Sequence, residues 1–545
     1  GIESGNRIRD GLSQAAQRAM TIIGNAAVAG AGEGNERLRS QIESGELTAD
    51  VLNKELMHLI YRLLFLFIIE DRGLVYDGDS AQIRRWKEIY YRYYAVSRFR
   101  ALSEVVHVRS PRYFDLWESL METFRLFEDE TFGASLGIKP LGGVLFNSAT
   151  LCHLRDCRIS NQDMFDAFRA LNTFEDEQHQ MVRINYSSLD VEEFGSVYEG
   201  ILEKRPRLTQ GADHSQWSFD YVGGLDRQST SSYYTRPDLV QSLIRTTLEP
   251  VIKERIARFN TPEEKVASLL SMKVCDAASG SGHIVLAMAR TIAWYVCSIR
   301  TGEDNPASMD YRRALHEVIE RCVYAVDYNP DAVELCKVVL WIEGYCAGKP
   351  LSFLDHHIRC GNSVVGVTDL DMLLEGVPDK AFSGDKEALK TLKKLNKKAI
   401  EEAKTLRDDA VQHGLQVSLF GEEYNITRIE NEQISLGKQV REINAMPENT
   451  LLEQLTKQHR WENLMKSPRV ESLRRACDIY VDAFYHEFQM SDIQMDGESG
   501  STRLPDFPYT ATVYQALEEI KQLESPDNNY VPLTPEFKHR IAATS

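Results

Sequence analysis

Apolar residues recur at helical spacing through Leu52, Leu56, Leu59, Ile60, Leu63, Leu64, Phe67 and Ile68, and the pattern stops at Glu70-Asp71-Arg72-Gly73. Steps of three and four residues predict an α-helix. A second such stretch runs from Phe114 through Leu116, Trp117, Leu120 and Phe124. Residues 1–220 therefore read as mostly helical, with no internal repeat.

The pattern changes near residue 221. Tyr221-Val222-Gly223-Gly224 and the polar stretch Asp226–Ser232 read as a linker. Helices and short strands then alternate. Leu239–Ile256, His283–Ile299, Arg312–Glu320 and Pro330–Tyr345 are predicted helices; Lys273-Val274-Cys275 and Cys322–Val326 are predicted strands. Such alternation predicts a parallel, doubly wound sheet. From 367 the strand signal fades. Residues 385–406 carry Leu389, Leu392, Leu395, Ile400 and Leu406 among many Lys and Glu, an amphipathic helix with a solvated face. Residues 407–460 are polar and poorly periodic. Ser467–Phe488 is predicted helical, and the acidic, Gly- and Ser-rich Ser491–Thr502 is expected to be flexible.

Composition narrows the picture. Of 545 residues, 43% are hydrophobic and 26% charged, ordinary values for a soluble protein. The longest apolar run, Leu63–Ile69, is far too short for a membrane span, so no membrane partner is expected. The start Gly1-Ile2-Glu3-Ser4-Gly5 has no signal-peptide features and no initiator Met, which suits an internal fragment or a trimmed chain. A net charge of −18 argues against a large DNA footprint on this chain, because phosphate neutralisation needs a basic surface. It leaves room for a local basic groove. Nine scattered cysteines with no CxxC pair suggest neither a zinc ribbon nor a disulfide framework, and a cytoplasmic setting is the expectation.

The chemistry concentrates in one segment. Asp276-Ala277-Ala278-Ser279-Gly280-Ser281-Gly282-His283 follows a predicted strand and opens a helix. Ligands of open α/β sheets sit beyond the carboxyl ends of strands. Gly280 and Gly282 permit positive φ and close backbone approach, and the helix start offers free N–H groups. The spelling D-x-x-x-G-S-G differs from the G-x-G-x-x-G of dinucleotide binders. A plain strand-to-helix turn is the alternative. Asp327, ending the next strand in Val326-Asp327-Tyr328-Asn329-Pro330, suits acceptance of ribose hydroxyls; a helix cap is its alternative. Tyr233, Tyr234, Thr235 and Pro237 stand before the first helix of this region, where aromatic and hydroxyl groups can meet the amino-acid end of a cofactor. An N-cap by Thr235 or Asp238 is the simpler reading. Asp355-His356-His357 and Cys152-His153-Cys157 suggest a metal only superficially, and no metal is expected at either. Gly30-Ala31-Gly32-Glu33-Gly34 reads as a flexible helix linker.

The order of these elements is specific. Y-Y-T-x-P, D-x-x-x-G-S-G-H, V-D-x-N-P-x-A-V-E-L-C-K and D-x-x-I-x-C-G-N-S-x-x-G, from Tyr233 to Gly366, resembles the Eco57I-like DNA adenine-N6 methyltransferases. That family includes type IIG and type ISP restriction-modification enzymes and the methyltransferase of DISARM phage defence. Leu63–Gly73 and Gly195–Glu203 resemble the helical domain that precedes the methyltransferase there.

The resemblance implies an α/β fold in three parts. These are a helical N-terminal or connector domain at 1–220, the S-adenosylmethionine (SAM)-binding half of a Rossmann-like methyltransferase core at 221–366, and a largely helical insertion with flexible segments at 367–545. It implies cofactor contacts from Tyr233, Tyr234, Thr235 and Pro237 at the methionine end. Asp276, Ala278, Ser279, Gly280, Ser281, Gly282 and His283 would form the glycine loop, and Asp327 would take the ribose, with Tyr328 and Asn329 beside the adenine. Asn362 and Ser363 would lie along the adenine edge. Asp-Ala-Ala-Ser stands where the family has Asp-Pro-Ala-Cys, and Arg236 where a second proline is frequent.

One departure is larger. The family transfers its methyl group at an Asn/Asp-Pro-Pro-aromatic motif, which holds a flipped adenine. No such tetrapeptide lies between Ser363 and Ser545, and Pro505-Asp506-Phe507-Pro508-Tyr509 has the wrong order. The chain is thus expected to bind SAM without methylating DNA by itself. The catalytic motif, the target-recognition domain and any nuclease are expected on further segments or subunits. Double-stranded DNA would be the partner of the full-length enzyme, with restriction or defence subunits beside it. Two rival readings are a catalytically inactive defence subunit and a nicotinamide-dependent dehydrogenase.

Overall fold

The computed structural model describes residues 2–105, 110–175, 180–189, 204–211, 216–223, 237–412, 436–495, 502–504, 507–522 and 532–544. They pack as two compact units, Gly1–Gly361 with Pro447–Leu455, and Asn362–Met446 with Thr456–Ser545.

The first unit begins with helices α1 (Ile2–Ala29), α2 (Glu33–Glu43), α3 (Ala49–Asp71), α4 (Ala81–Tyr93), α5 (Val96–Ser103), α6 (Asp115–Glu128), α7 (Glu130–Ala134) and α8 (Asn161–Asn172). The Thr48 side chain caps α3 by accepting from Val51 N. Every residue from Glu55 to Glu70 is buried, so the polar members of that stretch need internal partners. Arg62, fully buried, donates to the Leu145 and Asn147 carbonyls, to Thr150 and to Glu128 at 2.6–2.9 Å. Glu70 accepts from Tyr90 Oη at 2.7 Å, Val96 N at 2.9 Å and Ser97 N at 2.8 Å. Burial still pushes its carboxyl up to about 7.

Several expectations for this region need correction. Two antiparallel strand pairs interrupt the helices: β1 (Thr173–Glu175) with β2 (Met181–Arg183), and β3 (Arg205–Gln210) with β4 (Trp217–Val222). Tyr221 and Val222 thus end a strand and do not begin a linker. Asn25 of α1 holds β4 by exchanging two hydrogen bonds with the backbone of Phe219, at 2.8 and 2.9 Å. The Gly30–Gly34 turn is tightly packed, not loose. A Cβ on Gly34 would meet the Asp156 carbonyl at 1.9 Å, and buried Asn35 bonds both the Ala27 carbonyl and Arg158 N at 2.8 Å.

The α/β region opens with α9 (Pro237–Leu243), a π-turn at Ile244–Leu248, α10 (Glu249–Ala257) and α11 (Pro262–Leu270). Pro250 has no N–H to return to the preceding turn, and Glu249 N bonds the Ile244 carbonyl, five residues back. Strands β5 (Val274–Asp276), β6 (Val323–Asp327) and β7 (Ile358–Cys360) form a parallel sheet in the order β5-β6-β7. Helices α12 (His283–Thr301) and α13 (Ser308–Cys322) join β5 to β6, and α14 (Pro330–Glu343) joins β6 to β7. Strand order follows chain order, so the sheet steps in one direction. A doubly wound sheet needs a reversal, and none is present among the described residues. Helix α12 is long and apolar enough to cross a membrane, but its Val285, Leu286, Ala289, Ile292, Ala293 and Val296 lie in the core.

The helices and the sheet share that core. Glu343 at the end of α14 bonds Arg72 at 3.3 Å and Arg290 at 2.7 Å. The Phe65 ring meets Tyr345 edge-on at 5.6 Å.

The second unit has its own core, with Leu373, Leu392, Ile479, Phe488, Phe507, Val513 and Phe537 buried. Its predicted helix at 385–406 is the helix Lys386–Gln412. The helix predicted over Ser467–Phe488 ends at Asp482, and Glu487–Phe488 pairs in parallel with Ser383–Gly384. Gln494–Met495 pairs with Thr502–Arg503 inside the stretch expected to be flexible. The helix Leu451–Met465 begins inside the polar region 407–460. The start of that helix belongs to the first unit, where Gln454 is fully buried on the Leu351 carbonyl while Leu452 is 75% exposed, which inverts the usual pattern.

Candidate functional site

The site candidates gather where β5 and β6 end. Asp276 is the last residue of β5, and the chain then folds back over the sheet edge. Ser279 N donates to the Val326 carbonyl at 3.0 Å, and Gly282 N to the Ser279 carbonyl at 2.8 Å. The turn thus uses the end of β6 as its template.

The two glycines have different work. Gly280 has φ +51°, and a Cβ there would meet nothing within 4 Å. Gly282 has φ +91°, and a Cβ there would stand 2.7 Å from Cys336 Sγ of α14. Gly280 faces open space that a ligand can fill, whereas Gly282 allows helix α12 to start against α14. Glycine suits both because positive φ strains residues with a Cβ.

Two carboxylates flank the turn. Asp327 Oδ2 accepts from Gly280 N at 2.7 Å, and its Oδ1 accepts from Asn329 N at 2.9 Å. Asp276 Oδ1 accepts from Ala278 N at 3.1 Å. Asp276 Oδ2 is buried and has no hydrogen-bond partner among the described residues. Burial raises the Asp276 carboxyl above its usual value, the Ala278 bond opposes this, and Asp327 adds to it. A buried carboxylate oxygen with nothing to accept is costly unless something polar arrives. An ammonium group such as that of an amino acid fits that need, and the open space at Gly280 leaves room for the body of such a ligand. SAM carries that group, so the residues present suit it.

The remaining candidates distribute unevenly. Ala278 is exposed, Ser279 buried, and Ser281 and His283 half-buried in the same turn. Tyr328 is 78% exposed beside Asp327, an aromatic face open to stacking. Asn329 caps α14 by accepting from Asp331 N at 3.0 Å, with Pro330 in the first turn. Pro237 opens α9. Tyr233, Tyr234 and Thr235 lie outside the described residues, as does Gly195–Glu203. Asn362 and Ser363 are exposed at the start of the second unit, where Asn362 Oδ1 accepts from Val364 N at 2.9 Å.

Two features were invisible in the residue pattern. Cys336 sets how closely α12 approaches α14, and the Val326 carbonyl anchors the turn. The paired histidines belong to an aromatic stack: His356 lies over Phe353 at 5.0 Å, His357 lies 4.0 Å from His356, and Tyr324 lies 4.0 Å from His357. Asp355 pairs with Lys337, which also bonds Glu334.

No family model matches the chain. A putative type II restriction enzyme and methyltransferase of Methanocaldococcus jannaschii is 24% identical in the aligned part, which covers 26% of this chain and 15% of that protein. The chain therefore spans far less than two thirds of the length of that relative. The type IIL restriction-modification enzyme MmeI, solved in complex with DNA, aligns over 61% of this chain and 36% of its own, with 13% identity and a TM-score of 0.33. A likeness of that size carries no weight for the fold.

Proposed function

We propose that this chain is the SAM-binding part of a DNA adenine-N6 methyltransferase of a restriction-modification or phage-defence system. The observation that carries the reading is the unpartnered buried oxygen of Asp276 beside the open backbone of Gly280, at the carboxyl ends of two parallel strands. The similarity to a restriction enzyme and methyltransferase supports it.

In this reading Asp276 accepts the cofactor ammonium group, directly or through water. The Gly280 turn lies along the cofactor, Asp327 accepts ribose hydroxyls with its remaining lone pairs, and Tyr328 covers the adenine ring. When bound, SAM supplies a methyl group made electrophilic by a sulfonium. The chain contributes position and electrostatics. Double-stranded DNA is the proposed substrate of the assembled enzyme, in the cytoplasm. With no Asn/Asp-Pro-Pro-aromatic sequence in these 545 residues, methyl transfer is assigned to other segments or subunits.

Isothermal titration tests the binding: SAM is expected to bind with one site per chain, and NAD is not. Absence of SAM binding to a folded chain would sink the reading. The missing tetrapeptide also favours a second reading, a catalytically inactive subunit of a defence complex. The two separate on methyl transfer to DNA by the intact system, which only the first reading expects, with loss in an Asp276→Ala variant.

A further inference from the structure

Away from the sheet, α3 and the 3₁₀ turn Ser148–Leu151 bring three metal-ligating side chains to one point. Glu55 comes from α3 and is 6% exposed; Cys152 and His153 follow the turn. Glu55 Oε1 lies 2.5 Å from His153 Nδ1 and 3.3 Å from Cys152 Sγ, and the sulfur lies 3.3 Å from the same ring nitrogen. The sequence predicts no metal at Cys152-His153-Cys157; the structure adds a donor, Glu55, that stands nearly a hundred residues earlier, on a helix.

The carboxylate is held ready. Its Oε2 accepts from His153 N and Leu154 N, each at 3.1 Å, which keeps Oε1 turned to the thiol and the imidazole. Cys157 Sγ bonds the His153 carbonyl at 3.3 Å and secures the far side of the loop. Donors around a tetrahedral ion with bonds of about 2.0–2.3 Å stand roughly 3.3–3.7 Å apart. Two of the three separations already meet that value, and the Glu55–His153 pair needs to open by less than about 1 Å to do so. Cys152 is exposed, so a fourth position faces water.

We propose that Glu55, Cys152 and His153 bind a divalent transition-metal ion of the zinc type, one per chain. One oxygen, one nitrogen and one sulfur donor suit zinc, whereas calcium and magnesium require oxygen throughout. On binding, the Cys152 thiol gives its proton to solvent, and the neutral His153 ring keeps its proton on Nε2 so that Nδ1 is free to ligate. The ion ties α3 to the loop before α8.

Cobalt(II), titrated into the full chain, reads this directly. The expected result is a near-ultraviolet thiolate-to-cobalt band and visible bands of a four-coordinate site, saturating at one equivalent and displaced by zinc. Cys152→Ser, an exposed and nearly isosteric change, is expected to abolish the thiolate band while circular dichroism stays unchanged. His153→Gln is expected to weaken binding by at least about tenfold. Either no band in the unaltered chain, or a band that persists in Cys152→Ser, overturns the proposal and leaves the trio as a hydrogen-bonded pin.

Discussion

The Asp327 carboxylate accepts the backbone N–H of Gly280 at 2.7 Å, so the acid that ends one strand holds the turn that follows its neighbour. The same group is the proposed ribose acceptor. It therefore shapes the site before any ligand arrives, and its loss is expected to show in both stability and binding.

Asp327→Ala is expected to lower stability by about 1–2 kcal/mol, because two charge-assisted bonds in a half-exposed place disappear. It is also expected to weaken SAM binding by more than about tenfold, or about 1.4 kcal/mol. Thermal melts and calorimetric titration measure the two effects. Binding as tight as that of the unaltered chain would remove Asp327 from the site.

The two glycines are expected to separate. Gly280→Ala meets open space and carries only the strain of positive φ, about 1–2 kcal/mol, while its methyl group fills the proposed ligand gap. Gly282→Ala adds a collision with Cys336 and is expected to cost more stability than Gly280→Ala. Paired denaturation and SAM-binding measurements decide the matter. Equal stability losses would refute the division of roles.

Arg62→Ala is expected to destabilise the fold by about 3–5 kcal/mol, since it leaves a buried carboxylate and two carbonyls short of a donor. Arg155 also bonds Glu128 and softens the charge term, which places the value toward the lower end. Urea denaturation reads it. A loss below about 1 kcal/mol would show that the network is easily replaced.

Much of this architecture was legible because its residues alternate as the physics requires. Leu52–Ile68, His283–Ile299 and Pro330–Tyr345 announce their helices, and the Asp276–His283 spelling marks a turn at a strand end. The two strand pairs before residue 223 were hidden because their stability comes from partners distant in sequence, as Asn25 is for Phe219. The helix Leu451–Met465 was hidden because it buries Gln454 and exposes Leu452. Glu55 gave no sign of its neighbours, since nothing local to α3 points to Cys152. The roles of Gly280 and Gly282 look alike in one dimension and differ only once Cys336 stands beside one of them.

Stability is expected to carry a Glu70 signature in its pH dependence. With a folded value of about 7 against an ordinary 4.5, the folded chain holds this proton more tightly than the unfolded chain. The contribution is complete below about 4.5 and is lost as pH rises through about 7, at most about 3 kcal/mol in all. His58 and His316, pushed down to about 4 by burial, act in the opposite sense below 6.5. The test is therefore the stability difference between the chain and Glu70→Gln, followed from pH 4.5 to 7.5. The unaltered chain should lose ground steadily; a constant difference would sink the assignment.

Helix α14 is enclosed along its length: Ala332, Val333, Leu335, Cys336, Val338, Val339, Leu340, Trp341 and Ile342 are all buried, and Glu343 beyond them reaches Arg72. A fragment trimmed to the strands β5–β7 and their connections alone would strip one flank of that helix bare and present a greasy surface to solvent. Anyone producing a minimal binding module should therefore retain the preceding helices, or expect precipitate in place of a titration curve.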